Sequence, residues 1–232
     1  MAQDCRTQAT KAAQKRQRML GSQAQKAYLT VAQMLRLRDA IASEAPASTL
    51  AIRDLAIFDT ACDLLASRSE IIKLRLRDLN LREGTIRVSV ARGDQADRGA
   101  VFAVAPRTIA SVGAWLVASG LRDIDAEDAG ATPLFVGVVN GGNIRFGPDG
   151  TPKSMNGRTV VRALQRYAAR LGIPGVHSNS LRRSMARALY EVGEAEEQIV
   201  TKGRWASLDQ MRDYVGLAPP IGGASSVIFH SR

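Results

Sequence analysis

The stretch Asn179-Ser180-Leu181-Arg182-Arg183-Ser184, continued through Gly203-Arg204-Trp205 to Tyr214, decides how the chain is read. Leu181, Met185, Ala188, Leu189 and Val192 recur at helical spacing and make one apolar stripe, with Arg182, Arg183 and Arg187 off it. Gly193 tolerates the positive φ that ends a helix. Glu194 to Lys202 predicts a second short helix, and Ser207 an N-cap for a third that carries Met211 and Tyr214. A small helical core with a basic face accounts for these helices taken alone. The convergence of an arginine, a tryptophan and a tyrosine after helix turns asks for more.

The whole chain is basic: 32 Lys+Arg against 22 Asp+Glu, a net charge of +10 over 232 residues. A polyanion is the natural partner. Double-stranded DNA leads a membrane surface, because no basic amphipathic helix with an aromatic face stands out. With 45% hydrophobic and 23% charged residues, a globular protein with one sizeable core is expected. No apolar run approaches the ~20 residues that span a bilayer, and Met1-Ala2-Gln3-Asp4-Cys5-Arg6 lacks the apolar core of a signal peptide. Cys5 and Cys62 suggest neither a disulfide framework nor a zinc site. A reducing, cytoplasmic, nucleoid-associated location is expected, with no membrane partner.

Upstream, residues 1–27 are rich in Gln, Ala, Lys and Arg with poor apolar periodicity, which predicts a flexible basic arm. Such an arm is either a clamp on DNA phosphates or a solvated tail. Thr30 is an N-cap for a helix through Glu44, with Val31, Met34, Leu35, Leu37 and Ile41 inward; Ser48 or Thr49 caps a second, to about Ala66. Ser67-Arg68-Ser69-Glu70 is a capping-box pattern opening a third helix, to about Arg77. Alternation over Thr85 to Ala91, a turn at Arg92-Gly93-Asp94 and a return over Ala100 to Ala105 predict a β-hairpin. A helix from Pro106, a loop over 120–133, a short buried strand over Leu134 to Val139 and an arginine-rich helix over Asn156 to Leu171 complete the region. The fold class expected is α+β, mainly α: a helical domain over 28–216 with a small hairpin or three-strand element. A tail follows over 217–232.

The 179–214 stretch resembles the catalytic core of the tyrosine recombinase, or phage integrase, family. That family shows a His-x-x-Arg box, a Gly-x-Trp or Gly-His step, and a nucleophilic tyrosine nine positions on. Here the box reads Asn179-Ser180-Leu181-Arg182, and Tyr214 lies nine positions beyond Trp205. Leu64 to Leu79 resembles the family's first box, and Arg92-Gly93-Asp94-Gln95 the hairpin turn that holds its catalytic lysine. The resemblance runs from about Val31 to Tyr214. The family's separate N-terminal helical domain, which closes around DNA from the other side, is expected to be missing, so the clamp is expected to be one-sided and salt-sensitive.

The resemblance implies a transesterification. A tyrosine oxygen attacks a DNA phosphodiester, giving a 3′-phosphotyrosyl link and a free 5′-hydroxyl. Bond energy is conserved, so neither cofactor nor metal is required. Guanidinium groups match the non-bridging oxygens on which charge develops. The carry-over makes Tyr214 the nucleophile and Arg182 the phosphate clamp. Trp205 either donates its indole N–H to a phosphate oxygen or packs. Arg183, Lys202, Arg204 and His177 are expected to add DNA contacts.

The chain departs from the family at three positions. Ser67 stands where the first arginine belongs, with Arg68 one place late and turned by about 100° on a helix. Arg92 stands at the lysine position, where it stabilises charge but donates a proton poorly. Asn179 replaces the box histidine and cannot exchange a proton at neutral pH; His177 lies two residues earlier. Losing one preorganised donor typically costs roughly 3–4 kcal/mol of transition-state stabilisation. Two expectations follow: a site-specific recombinase or integrase working as a dimer or tetramer on DNA, or a catalytically impaired DNA-binding relative that regulates or assists a mobile element. The family also offers Val227-Ile228-Phe229 as a segment that docks on a neighbouring protomer.

Overall fold

The computed structural model describes residues 28–89, 99–124, 126–139, 142–177 and 179–216. They belong to two compact units, one of Tyr28–Arg204 and one in which 205–216 are described. The predicted basic arm, the hairpin turn with Arg92 and the tail with Val227 to Phe229 lie outside the described residues.

In the larger unit the order is α1 (Val31–Glu44), α2 (Thr49–Asp63), α3 (Arg68–Lys73), β1 (Leu79–Asn80), β2 (Thr85–Val88), β3 (Ala100–Ala103), α4 (Pro106–Ser119), α5 (Ala126–Ala129), α6 (Gly157–Arg170), α7 (Ser180–Glu191) and α8 (Glu196–Gly203). The strands form one antiparallel sheet in the order β1-β2-β3, with Ile86 opposite both Leu79 and Phe102. The smaller unit holds α9 (Leu208–Val215).

The sequence signals that start helices act as expected. Thr30 and Gln33 form a capping box at α1, Ser67 and Glu70 another at α3, and the Ser207 hydroxyl accepts the Gln210 N–H at α9. Helix α4 begins at Ala105, which has no side chain to cap with. Asp63 of α2 does it instead: one carboxylate oxygen accepts the Ala105 N–H and the Thr108 hydroxyl, both at 2.7 Å. A negative charge there also suits the positive end of the helix.

Helix α2 lies at the centre, packed on α1 and α4. Ala56, Ile57, Phe58, Ala61 and Cys62 join the core, and burial extends to the polar Arg53, Asp54, Asp59 and Thr60. Buried charges must be paired. Asp59 takes a two-pronged bond from Arg38 at 2.7 and 3.0 Å, while Asp54 accepts Arg53 and, from α6, Arg166 at 3.1 Å. Burial pushes the Asp54 carboxyl up against the pull of these arginines. Trp115 of α4 is fully buried, its indole N–H donating to the Leu134 carbonyl at 2.8 Å.

Several expectations are corrected. Helix α3 stops at Lys73 rather than near Arg77, because the next residues turn to pair elsewhere: Leu134 N–H reaches the Leu74 carbonyl, and Leu76 N–H the Thr132 carbonyl. Leu134, Phe135 and Val136 are fully buried as predicted, yet the segment makes isolated bridges, Val136 with Ser154 and Val138 with Ile144, instead of a strand. The 120–133 loop contains a 3₁₀ turn at Leu121–Asp123 and the short α5. Val31, Leu35 and Val192, assigned inward by periodicity, are exposed.

Candidate active site

Helix α7 carries the Arg182 box. Its N-terminus is built by Ser180, whose buried hydroxyl accepts the His177 N–H at 2.8 Å. Asn179 is the N-cap residue, but its side chain makes no capping bond, so the amide is not consumed by its own helix. Leu181 and Ala186 face the core, and the Ser184 hydroxyl accepts the Leu29 N–H, tying the helix to the start of the unit. Arg182 therefore stands at the edge of a fixed surface.

Its guanidinium is held rather than loose. The Arg182 side chain is 11% exposed, and its Nη1 donates to Glu70 Oε2 at 2.9 Å. Its Nη2 donates to the carbonyl of Gly203, at the end of α8. Glu70 in turn accepts the Ser67 N–H at 2.7 Å and the Arg204 Nε–H at 2.6 Å. Burial alone would raise the Glu70 carboxyl. The Arg204 hydrogen bond and charge, with the Ser67 bonds, outweigh it and hold the group below the usual carboxylate range. The result is a carboxylate gripped by two arginines from distant parts of the chain.

Sequence reading expects a DNA contact at Arg204; the structure turns that side chain inward. It is 6% exposed and donates to the carbonyls of Leu64 and Lys202 as well as to Glu70, with its guanidinium 5.3 Å from the Phe102 ring centre. Lys202 is half-buried and lines a cavity of about 480 Å³ together with Phe102, Glu194 and Glu197. Arg183 is half-buried on α7, and His177 is exposed.

At the first box the Ser67 side chain is spent on the α3 cap, accepting the Glu70 N–H at 3.3 Å. Arg68 is exposed, and its stem crosses Gly157 at the start of α6: a Cβ on Gly157 would stand 2.9 Å from Arg68 Cδ. Helix α6 then presents arginines at four-residue spacing. Arg166 and Arg170 are engaged, with Asp54 and with Glu44 at 2.6 Å, and both lie over the Tyr167 ring. Arg158 and Arg162, toward the helix start, are exposed.

The smaller unit contains the other two residues singled out. Trp205 is buried and Tyr214 half-buried; their ring centres are 5.4 Å apart with planes tilted by 57°. Ser207 starts α9 and Gly216 at φ +78° ends it; Trp205 lies just before the helix and Tyr214 near its end, and the two rings meet.

Sequence reasoning found Glu70 only as a capping residue and missed its ion pairs, because Arg182 and Arg204 are far away along the chain and nothing local announces them. It also missed Gly157 as the bed for Arg68. Among the described residues, no group of three or more His, Cys, Asp or Glu side chains is placed to hold a metal ion, and no helix is long and apolar enough to cross a membrane.

A mainly helical architecture with a small three-stranded antiparallel sheet is that of the tyrosine recombinase catalytic domains among the solved structures. The family model described as "Phage integrase family" matches residues 27–219, and the chain belongs to that family. Solved structures agree on the fold. A XerA recombinase is 19% identical with a TM-score of 0.61, over 87% of this chain and 63% of that one. XerH recombinase in a post-cleavage complex with its difH substrate is 16% identical with a TM-score of 0.62, over 82% and 49%. The Tn1549 transposon integrase with circular intermediate DNA is 12% identical with a TM-score of 0.56, over 88% and 65%. The chain thus spans about half to two-thirds of the length of these structures. No curated protein matches it.

Proposed function

We propose that this protein cleaves and rejoins DNA at specific sites through a 3′-phosphotyrosyl intermediate, with Tyr214 as nucleophile. The phenol gives up its proton, its oxygen bonds to phosphorus, the P–O5′ bond breaks, and the 5′-oxygen takes up a proton. Arg182 stabilises the charge that develops on the phosphate, with Asn179 as a hydrogen-bond donor and Trp205 supporting the phenol. Arg92 is assigned to the leaving-oxygen side by its place in the sequence. Exposed Arg68, Arg158 and Arg162, with Arg183 and His177, supply the contacts to the duplex backbone. Neighbours solved with recombination DNA support DNA as the partner, and a homo-oligomer on DNA fits two-ended strand exchange.

The observation that carries this reading is the held guanidinium of Arg182 on a helix whose N-cap amide is left for other work. A group fixed before substrate arrives loses little on binding the transition state. The test is a nicked suicide duplex, from which the cleaved end diffuses away. The wild-type chain is expected to accumulate a covalent adduct and Tyr214→Phe to form none while binding DNA equally; a wild type that binds the duplex without an adduct defeats the reading.

One observation favours a second reading, a DNA-binding relative with impaired chemistry: Ser67 stands at the first arginine position with its hydroxyl spent on a helix cap. In that case Tyr214→Phe leaves every cellular phenotype of the gene unchanged.

A further inference from the structure

Arg204 is the least expected residue of the larger unit. It occupies the left-handed region at φ +57°, where side chains other than glycine and asparagine are strained. Glycine is the ordinary solution at a helix end, and Gly216 and Gly120 show that the chain uses it elsewhere. Something therefore compensates an arginine here. The compensation is visible: its Nε–H holds Glu70, its Nη groups reach the carbonyls of Leu64, Leu65 and Lys202, and its face lies over Phe102. Leu65, one of those acceptors, is itself left-handed at φ +46°. One side chain thus locks the turn before α3 to the end of α8.

Both segments also hold Arg182. Its Nη1 rests on Glu70, the acidic partner Arg204 also grips, and its Nη2 on the carbonyl of Gly203, the residue just before Arg204. Arg204 is therefore a direct side-chain link between the two anchors. We infer that Arg204 is a positioning residue: acting through Glu70 and the Gly203 carbonyl, it sets the orientation of the Arg182 guanidinium, and so governs the rate of strand cleavage rather than the affinity for duplex.

The inference rests on the strand-cleavage reading for its kinetic half, and on the geometry alone for the rest. The informative variant is Arg204→Gly. Glycine takes the positive φ without strain, so the turn keeps its preferred residue while the guanidinium goes. Single-turnover cleavage of a nicked duplex is expected to fall by up to about 100-fold, the scale of a small misplacement of a catalytic group, while the duplex Kd stays within about twofold. Arg204→Lys keeps a charge but not the planar fork, and is expected to recover only part of the rate. In the Arg204→Gly background, Arg182→Lys adds less than it does alone, since the two act as a unit. A second readout needs no chemistry: the side-chain Nε–H signal of Arg182 in a ¹⁵N spectrum, assigned by its loss in Arg182→Lys. It is expected to shift and broaden in Arg204→Gly, and in Arg204→Lys if the glycine variant does not stay folded. An unmoved Arg182 signal overturns the inference even where the wild type makes no adduct. So does wild-type cleavage by Arg204→Gly, or a rate loss matched by an equal loss of affinity.

Discussion

Arg182 Nη1 lies 2.9 Å from Glu70 Oε2, joining α7 to the capping box of α3. The carboxylate also holds Arg204, so removing its charge leaves two guanidinium groups, 11% and 6% exposed, facing each other.

Glu70→Gln is therefore expected to cost about 2 kcal/mol at neutral pH, the scale of losing a charged partner in a part-buried pair. The pH dependence has a definite sign. The folded state holds Glu70 below its ordinary value, so its contribution is present above the unfolded value of about 4.3 and is lost as pH falls through the folded one. Denaturant titrations should show a difference between wild type and variant that is flat from about pH 5.5 to 8 and narrows in acid. A difference that grows in acid would contradict the assigned charge state.

Gly157→Ala should separate folding from DNA binding. The new Cβ would stand 2.9 Å from Arg68 Cδ, so the arginine stem must leave its bed. Alanine at a helical position is otherwise neutral or stabilising by up to about 1 kcal/mol. The expected result is an unchanged or raised Tm with weaker duplex binding, and a salt slope reduced by about one phosphate contact, matching Arg68→Ala. Anisotropy titrations across salt concentrations check this; a wild-type slope would remove Arg68 from the DNA surface.

Asp63 caps a helix that is not its own. Asp63→Ala should destabilise the fold by about 1–2 kcal/mol, the range for a lost N-cap, and Asp63→Asn, which keeps an acceptor oxygen, by about half. Urea unfolding of the two variants reads this directly. Equal losses would mean that the charge at the α4 terminus, rather than the hydrogen bonds to Ala105 and Thr108, carries the effect.

In the smaller unit, Trp205→Ala should cost about 3 kcal/mol, and Trp205→Phe, which keeps a ring beside Tyr214, less than half of that. The ring-current shift of the Tyr214 aromatic protons should collapse in the alanine variant and persist in part in the phenylalanine one. Unchanged Tyr214 signals in Trp205→Ala would contradict the contact.

Much of this protein is a local matter, and the chain states it. Thr30, Ser67 and Ser207 begin helices because their hydroxyls satisfy N–H groups within three residues; the β2–β3 pairing follows from alternation; Trp205, just before α9, and Tyr214, near its end, come into contact across a short stretch of chain. The Trp205–Tyr214 spacing, with the Arg182 box, points to the phage integrase family. Periodicity failed where it could not see neighbours. Val31, Leu35 and Val192 fit apolar stripes but face outward, and α2 buries Arg53, Asp54 and Asp59 because other elements cover it on more than one side, Arg38 and Arg166 pair with its aspartates, and Arg53 pairs with Asp54 beside it.

Only the tertiary structure decided what the charged residues do. Glu70 reads locally as half of a capping box, which it is; that it also holds Arg182 and Arg204 depends on segments more than a hundred residues apart arriving at one place. Arg204 reads as one more surface cation in a basic chain, yet it is buried, and Arg68 finds its course only because Gly157 offers no side chain in its way. Hydrogen-bond caps and periodic faces act over a few residues and leave a mark in the sequence; the pairing of charges acts through space, and the order of residues along a backbone does not encode which of them will be close.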